Sequence, residues 1–411
     1  MSQSTRRGFL SLGVASGALL GALRPSSLLA QAQTVARALG RGVSAYGERS
    51  RFETTTRLLR DSRHPEASSS RTPLQDLQGT LTPSPLHFER HHAGIPDIDP
   101  SSHRLLIHGL VDRPLELSLA ELRRLPAESR IHFLECSGNS GALWREASVA
   151  AAHTTRGTAQ STHGLTSSGE WEGVPLSVLL NEAGVRPEGT WLVAEGADAS
   201  RMTRSVPLTK ALDDTFVAYG QNGEALRPAQ GYPLRLFVPG WEGNISIKWL
   251  RRIEVVDRPY MTREETSKYT DLLPDGRARR FTFVMEAKSV ITHPSGGQRL
   301  TNPGYHQLRG IAWSGRGRVQ RVEISTDGGR SWEVAELQGP VLPRAHTRFR
   351  LDWTWDGSEV VVQSRCIDET GYTQPTREEL IAARGLRSGY HNNAIQSWKV
   401  SPDGTVENIY V

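Results

Sequence analysis

From residue 281 to residue 400 the chain reads as seven short strand-like segments separated by turn signals. They are 281-FTFVMEA-287, 307-QLRGIAW-313, 318-RVQRVEIS-325, 331-SWEVAEL-337, 346-HTRFRLDWTW-355, 359-EVVVQSRCID-368 and 395-IQSWKV-400. Side chains alternate across a strand, so each segment presents one apolar face that must be covered. Short strands repeating over about 130 residues satisfy that demand as two sheets packed face to face, an immunoglobulin-like sandwich. Cys366 falls on the apolar parity of one such strand, with Val360, Val362 and Ser364, and is expected as a buried small side chain. The turn 292-THPSGG-297 resembles a haem-binding loop only superficially.

Residues 76–275 follow a different rule. Strand signals at 104-RLLIHGLV-111, 131-IHFLE-135, 190-TWLVAEGAD-198, 233-PLRLFVP-239 and 245-ISIKWLRRIEVV-256 alternate with short helix signals. Ser118 and Glu121 form a capping box before 119-LAELRRL-125, and 175-PLSVLLNEAGV-185 runs from a first-turn proline to a glycine cap. The run 215-TFVAYGQNGEAL-226 is a hairpin turning at Asn222-Gly223. No βαβ repeat, G-x-G-x-x-G or P-loop is present, so a nucleotide-binding sheet is not indicated. The fold class is α+β, with the sandwich as a second domain over 276–411.

Charge locates the N-terminus outside both domains. The formal net charge is +5, but residues 1–32 contribute +3, residues 33–71 contribute +4, and the rest is slightly acidic. The folded surface is therefore not basic, and no nucleic-acid partner is expected. The segment 4-STRRGFLSLGVASGALLGAL-23, followed by Ala30-Gln-Ala32, reads as a twin-arginine export signal over 1–32. It is too short and too interrupted for a membrane span. Residues 33–75, rich in Arg, Ser and Thr, read as a linker or arm that orders only on docking. The expected location is the periplasm.

Two cysteines in 411 residues allow one bridge, Cys136–Cys366, which their contexts argue against. Cys136 follows an apolar strand and opens a loop of small residues, 136-CSGNSGA-142. Four readings stand open: an inert thiol, a nucleophile, a zinc ligand, or the one thiolate given to a metal that a cofactor otherwise holds. Zinc would need more clustered ligands. Small residues let a bulky ligand approach the backbone, and Asn139 offers it a donor. Upstream, 86-LHFERHHAGIP-96 gathers Arg90, His91 and His92, a set suited to an anion.

Cys-Ser-Gly-Asn after a strand resembles the molybdenum loop of the sulfite oxidase family, usually Cys-Ala-Gly-Asn. Phe88-Glu-Arg90-His91-His92, 219-YGQNGEAL-226, Gly231-Tyr-Pro-Leu-Arg235, 238-VPGWEGNISIKWLRRIEV-255 and 311-IAWSGRGRVQRVEISTDGGRSWEVAEL-337 follow the family's order. The resemblance covers about 80–411. Within the family, Glu89-Arg-His-His-Ala-Gly, Trp241-Glu-Gly-Asn and Tyr390-His-Asn-Asn look most like the bacterial sulfane (sulfite) dehydrogenase branch.

The resemblance implies a sulfite-oxidase-type molybdopterin domain and a dimerising sandwich. Cys136 would ligate molybdenum beside molybdopterin. Arg90, Tyr269 and Arg384 would face the substrate oxyanion, with the phenol's pKa lowered among cations. Phe88, His91, His92, Asn139, Asp198, Gln230, Arg235, Ser246, Ile247 and Lys248 would hold the pterin and its phosphate, Gln230 standing where relatives carry histidine. Ser140 and Gly141 replace an arginine pair of the animal enzymes, which implies a wider mouth. The chain has no Cys-x-x-Cys-His, so no c-type haem is attached to it; a separate cytochrome c would take the electrons. A homodimer, or a heterotetramer with that cytochrome, is implied, with a sulfur-carrier protein as substrate donor. The alternatives are a periplasmic methionine-sulfoxide reductase with the same cofactor, and a non-catalytic secreted binding protein.

Overall fold

A computed structural model describes residues 39–145 and 157–409. The expected export signal, 1–32, lies outside them. The chain divides at Thr54/Thr55 into a short and a large unit; the described part of the short one carries no helix or strand. Every helix and strand named below belongs to the large unit.

Local signals fix several elements. Ser118 accepts from the Glu121 N–H while the Glu121 carboxylate accepts from the Ser118 N–H, opening the helix Leu119–Leu122. The helix Leu176–Ala183 stops at Gly184, whose φ of +70° places it in the left-handed region that glycine adopts without strain. Asn222 and Gly223, both at positive φ, turn the hairpin of Phe216–Gln221 and Glu224–Ala225.

Two sheets build the first half. One orders Leu115–Leu117, Leu105–Gly109, Leu250–Val256, Trp191–Gly196 and Thr203–Pro207. Its Leu250–Val256 strand runs parallel to Leu105–Gly109 and antiparallel to Trp191–Gly196, hence the mixed sheet. The other orders Glu224–Ala225, Phe216–Gln221, Thr166–Pro175 and Glu128–Glu135, with Arg235–Phe237 also pairing Phe216–Gln221. Leu176, Leu179, Leu180 and Ala183 of the helix pack with Leu192, Val206, Val217 and Ile253 in one buried cluster. Each fully buried leucine there contributes about 1.5–3 kcal/mol.

The second half is the expected sandwich. Lys288–His293, Gly304–Trp313, Thr347–Trp355 and Glu336–Gln338 form one sheet. Glu333–Val334, Val319–Ser325, Val360–Asp368, Ser397–Val400 and Val406–Ile409 form the other. Trp313, Phe349, Val362 and Trp398 fill the space between, with Cys366 fully buried among them. Both cysteines are free thiols.

Three segments differ from the sequence expectation. Residues 281–287 join no ladder beyond one bridge, Trp241↔Val284. Phe281 and Phe283, both at positive φ, stack on each other, and Phe283 stacks on Trp241 at 4.3 Å, so this run packs on the first half instead. Residues 245–249 are loop, not strand: Ile245 and Ile247 enter the core, and the ladder starts at Leu250. Part of the expected arm is strand. Leu58–Leu59 pairs with Ser69–Arg71, which pairs with Glu89–Arg90, so residues 55–71 dock on the same unit rather than on a partner.

Candidate active site

The strand Glu128–Glu135 hands Cys136 to its loop. The Cys136 N–H donates to the Leu165 carbonyl at 2.9 Å, and the Asn139 and Gly141 N–H groups close turns on the Cys136 and Gly138 carbonyls. These bonds fix the backbone without using the thiol. Burial pushes the thiol's pKa up, while the Gly138 N–H and the Arg90 charge favour its thiolate.

The thiol opens into a cavity that gathers most of the sequence candidates. Phe88, Arg90, His91 and His92 line it from one short segment around the strand Glu89–Arg90, Arg235 from the start of its strand, and Asp198, Gln230 and Tyr269 from three other segments. Ser246, Ile247 and Lys248 close the wall, which explains the loop conformation of 245–249. Ser246 and Lys248 reach the cavity by interrupting the strand.

Two candidates are elsewhere. Asn139 spends both ends of its amide on the loop, donating to Glu135 Oε1 at 2.9 Å and accepting from the Leu165 N–H at 3.1 Å. Arg384 is buried between Asp271, 3.6 Å away, and Glu286, 3.4 Å away, so its charge is met by carboxylates rather than offered to a cavity. The wide-mouth reading of Ser140 and Gly141 also changes. Neither lines the cavity; Ser140, at φ +61°, turns its hydroxyl to His163 Nδ1 at 2.7 Å and Lys288 at 2.9 Å.

The remaining polar groups divide by charge. Arg235 is fully buried, donating to the Gln230 and Ser246 carbonyls at 3.0 and 3.1 Å with no carboxylate partner among the described residues. Its Nε has no hydrogen-bond partner among the described residues, and burial lowers its pKa to about 9. Lys248 donates to the carbonyls of Arg90 and Ala229 and to His91 Nδ1; burial, then Arg235, pulls its pKa well down. Arg90 rests on the Ala67, Ser68 and His91 carbonyls. Glu89 is held low near 2 despite its burial, by His91 and Arg57. Three cations thus share a buried space with an incomplete set of anions. Such a space costs folding free energy unless an anion fills it.

Tyr269, at φ +49°, closes the cavity beside Cys136. Its hydroxyl lies 3.1 Å from His92 Nε2 and its ring 5.4 Å from the Arg204 guanidinium. The expected fall of its pKa does not occur. Burial raises it, the Cys136 thiolate adds to the rise, and the nearby arginines do not reverse the direction. His92 is lowered to about 4, first by burial, then by Arg90.

Sequence reading missed Arg204, buried under Tyr269 and tied to Glu242 and Glu265. It also missed Lys288, which reaches Glu135 and Ser140 from the sandwich. Neither lies in a chemical motif; each is a single cation inside a strand whose partner is far along the chain.

Among the described residues, no three His, Cys, Asp or Glu side chains converge on a metal position. A metal here would take one protein thiolate and draw its other ligands from a cofactor. Arg235, whose charge meets no carboxylate among the described residues, suits that cofactor's phosphate together with Lys248, so the donor set fits molybdopterin.

Residues 92–264 match the model of the oxidoreductase molybdopterin binding domain, and residues 279–398 that of the Mo-co oxidoreductase dimerisation domain. Sulfite oxidase of Gallus gallus is 33% identical over 324 residues, covering 72% of this chain and 68% of that protein. Sulfite oxidase of Drosophila melanogaster is 31% identical, covering 75% and 58%. A nitrate reductase [NADH] of Ulva prolifera is 30% identical over 72% of this chain, which spans only 38% of that protein. The crystal structure of the sulfane dehydrogenase SoxCD from Paracoccus pantotrophus superposes with a TM-score of 0.89 at 47% identity, covering 94% of this chain and all of that one.

Proposed function

Because this chain belongs to the sulfite oxidase family of molybdopterin oxidoreductases, we propose that it oxidises sulfite or protein-bound sulfane sulfur in the periplasm and delivers the electrons to a cytochrome c. One observation carries the reading. A lone thiol, Cys136, shares a buried cavity with Arg90, the Tyr269–His92 pair, and the carboxylate-free Arg235. The 47% identity to a sulfane dehydrogenase supports the sulfur substrate. The family also includes a nitrate reductase, so membership alone does not fix it.

When bound, molybdopterin and its metal supply two-electron oxygen-transfer chemistry. Cys136 would give the metal its protein thiolate. Arg235 and Lys248 would hold the pterin's phosphate, and Gln230, Asp198, Ser246, Ile247, Phe88, His91 and His92 would hold the pterin itself. Arg90 presents a planar fork of donors to the oxygens of the substrate. The Tyr269 hydroxyl donates to a substrate oxygen, and His92, neutral at pH 7, orients it. Asn139 and Arg384 act behind the wall, on loop geometry rather than on ligand. The assembly is a homodimer, or a heterotetramer with the cytochrome subunit.

Cytochrome c reduction, followed with free sulfite and with sulfane sulfur carried on a protein cysteine, tests the function. Reduction by neither, with methionine sulfoxide or nitrate turned over instead, would overturn it.

Two variants probe the roles. Arg235→Gln should cut cofactor retention about 10- to 100-fold, as loss of a supporting partner does at other metal sites. Pterin content per chain after gel filtration measures it, and native content would refute the phosphate role. Tyr269→Phe should lower kcat/KM about a hundredfold, the effect of removing one aimed donor. The phenol's pKa is raised, so it stays protonated through the neutral range and above. The alkaline limb of the rate profile should therefore keep its midpoint in the variant; a moved midpoint would show that the phenol titrates.

A further inference from the structure

Two motifs have so far been given no role: Trp241-Glu-Gly-Asn244, whose Gly243 and Asn244 reach the cavity wall, and Tyr390-His-Asn-Asn393. They meet at the Cys136 loop. Asn244 Nδ2 donates to Ser137 Oγ at 3.0 Å and to Glu242 Oε2 at 2.8 Å. The His391 N–H donates to the Ser137 carbonyl at 2.8 Å, and its ring meets the other oxygen of Glu242. The Gly243 N–H donates to the Glu135 carbonyl at 2.7 Å, where a Cβ on Gly243 would stand 2.7 Å from the same oxygen.

Lys288 draws these contacts together. It is the first residue of the sandwich strand Lys288–His293 and is 2% exposed. Its ammonium has three protons and three acceptors: Glu135 Oε1 at 3.2 Å, Ser140 Oγ at 2.9 Å and the Asn392 carbonyl at 2.8 Å. Glu135 is completed by Asn139 on one oxygen and by Trp313 Nε1, 2.7 Å away, on the other. Glu135 precedes the thiol residue and Ser140 lies four beyond it, so one side chain grips the loop on both sides of Cys136. A buried ion pair of this kind is seldom a net stabiliser, but with every donor and acceptor met it defines one geometry.

We propose that Lys288 is a positioning residue for the molybdenum site: through Glu135 and Ser140, the sandwich domain sets the direction of the Cys136 thiol. The second domain is then part of the active site and not only a means of association. This rests on Cys136 being the metal's ligand.

The test uses the full chain. In cofactor-free protein, from a host that makes no molybdopterin, alkylation of Cys136 by iodoacetamide reports loop geometry, because Cys366 is fully buried. Lys288→Met should change that rate at least about tenfold, by freeing local opening of the loop. Val322→Ala, in the sandwich core, lowers the melting temperature without touching the loop and should leave the rate native. If Lys288→Met does not fold, Ser140→Ala, which removes one of the three acceptors, is read in the same assay and should shift the rate in the same direction. Native alkylation rates in Lys288→Met, or in Ser140→Ala where that variant stands in, overturn the positioning role. In loaded protein, a sulfur-to-molybdenum absorption band unchanged in Cys136→Ser would instead sink the ligand reading, and the proposal with it.

Discussion

Cys136→Ser should leave the fold intact and remove more than about a hundredfold of turnover. Loss of groups that merely support a metal ligand costs about 10- to 100-fold, and removing the ligand itself exceeds that. The variant should fold because the loop is held by backbone bonds, Cys136 N–H to Leu165 and Asn139 N–H to Cys136, and by Lys288 on either side, none of which uses sulfur. Its cavity keeps Arg235, Lys248 and Gln230, so pterin should still be retained. Serine replaces a soft, polarisable thiolate with a hard hydroxyl, which changes the metal's electronics and not the cavity's shape. Circular dichroism, pterin content and cytochrome c reduction measured together give the result. Turnover within tenfold of native, with pterin present, would remove Cys136 from the chemistry.

How much of this the sequence reveals depends on the range of the interaction. The Cys136 loop is legible because an apolar run ends in small residues, a local pattern. The cavity-lining His91, His92 and Arg90 are legible for the same reason, since three polar side chains crowd one short loop. Asn139 sits in the Cys136 loop too, but whether its amide faces ligand or backbone depends on where Leu165 lies. Arg384 and Lys288 look alike in sequence, single cations without a motif. The fold pairs one with Asp271 and Glu286, and carries the other to Glu135 across 153 residues. The strand Thr166–Pro175 is hidden by its Ser and Gly content, since both its faces are covered and no alternation is needed. The sandwich is readable from alternation, yet its first strand starts at Lys288 because Phe281 and Phe283 pack on the first half instead.

Acid should destabilise the protein steeply from about pH 6.5 downward, well before its carboxylates titrate. Burial holds His87, His163 and His346 near 3 and His132 near 4. In the unfolded chain each returns to about 6.5. A histidine with a lowered folded pKa binds its proton more readily unfolded. Its contribution is therefore fully present above about 6.5 and is lost as pH falls toward the folded value. Each such group steepens the loss by up to about 1.4 kcal/mol per pH unit, so four together approach about 5 kcal/mol per unit between roughly pH 6 and 4.5. They lie close to the junction of the two halves. His346 stacks on Phe133 at 6.2 Å and bonds Thr166 Oγ1, while His163 joins Ser140 to Gln396 of the C-terminal segment. Charging them strains the contact that holds the Cys136 loop against the sandwich. Scanning calorimetry of cofactor-free protein at pH 7.5, 6.0 and 5.0 gives proton uptake on unfolding from the slope of stability with pH. His163→Gln, which keeps a hydrogen-bonding side chain, should reduce that uptake by about one proton. A melting temperature flat from pH 7.5 to 5.0 would mean that these histidines bind protons in the folded protein as readily as in the unfolded chain.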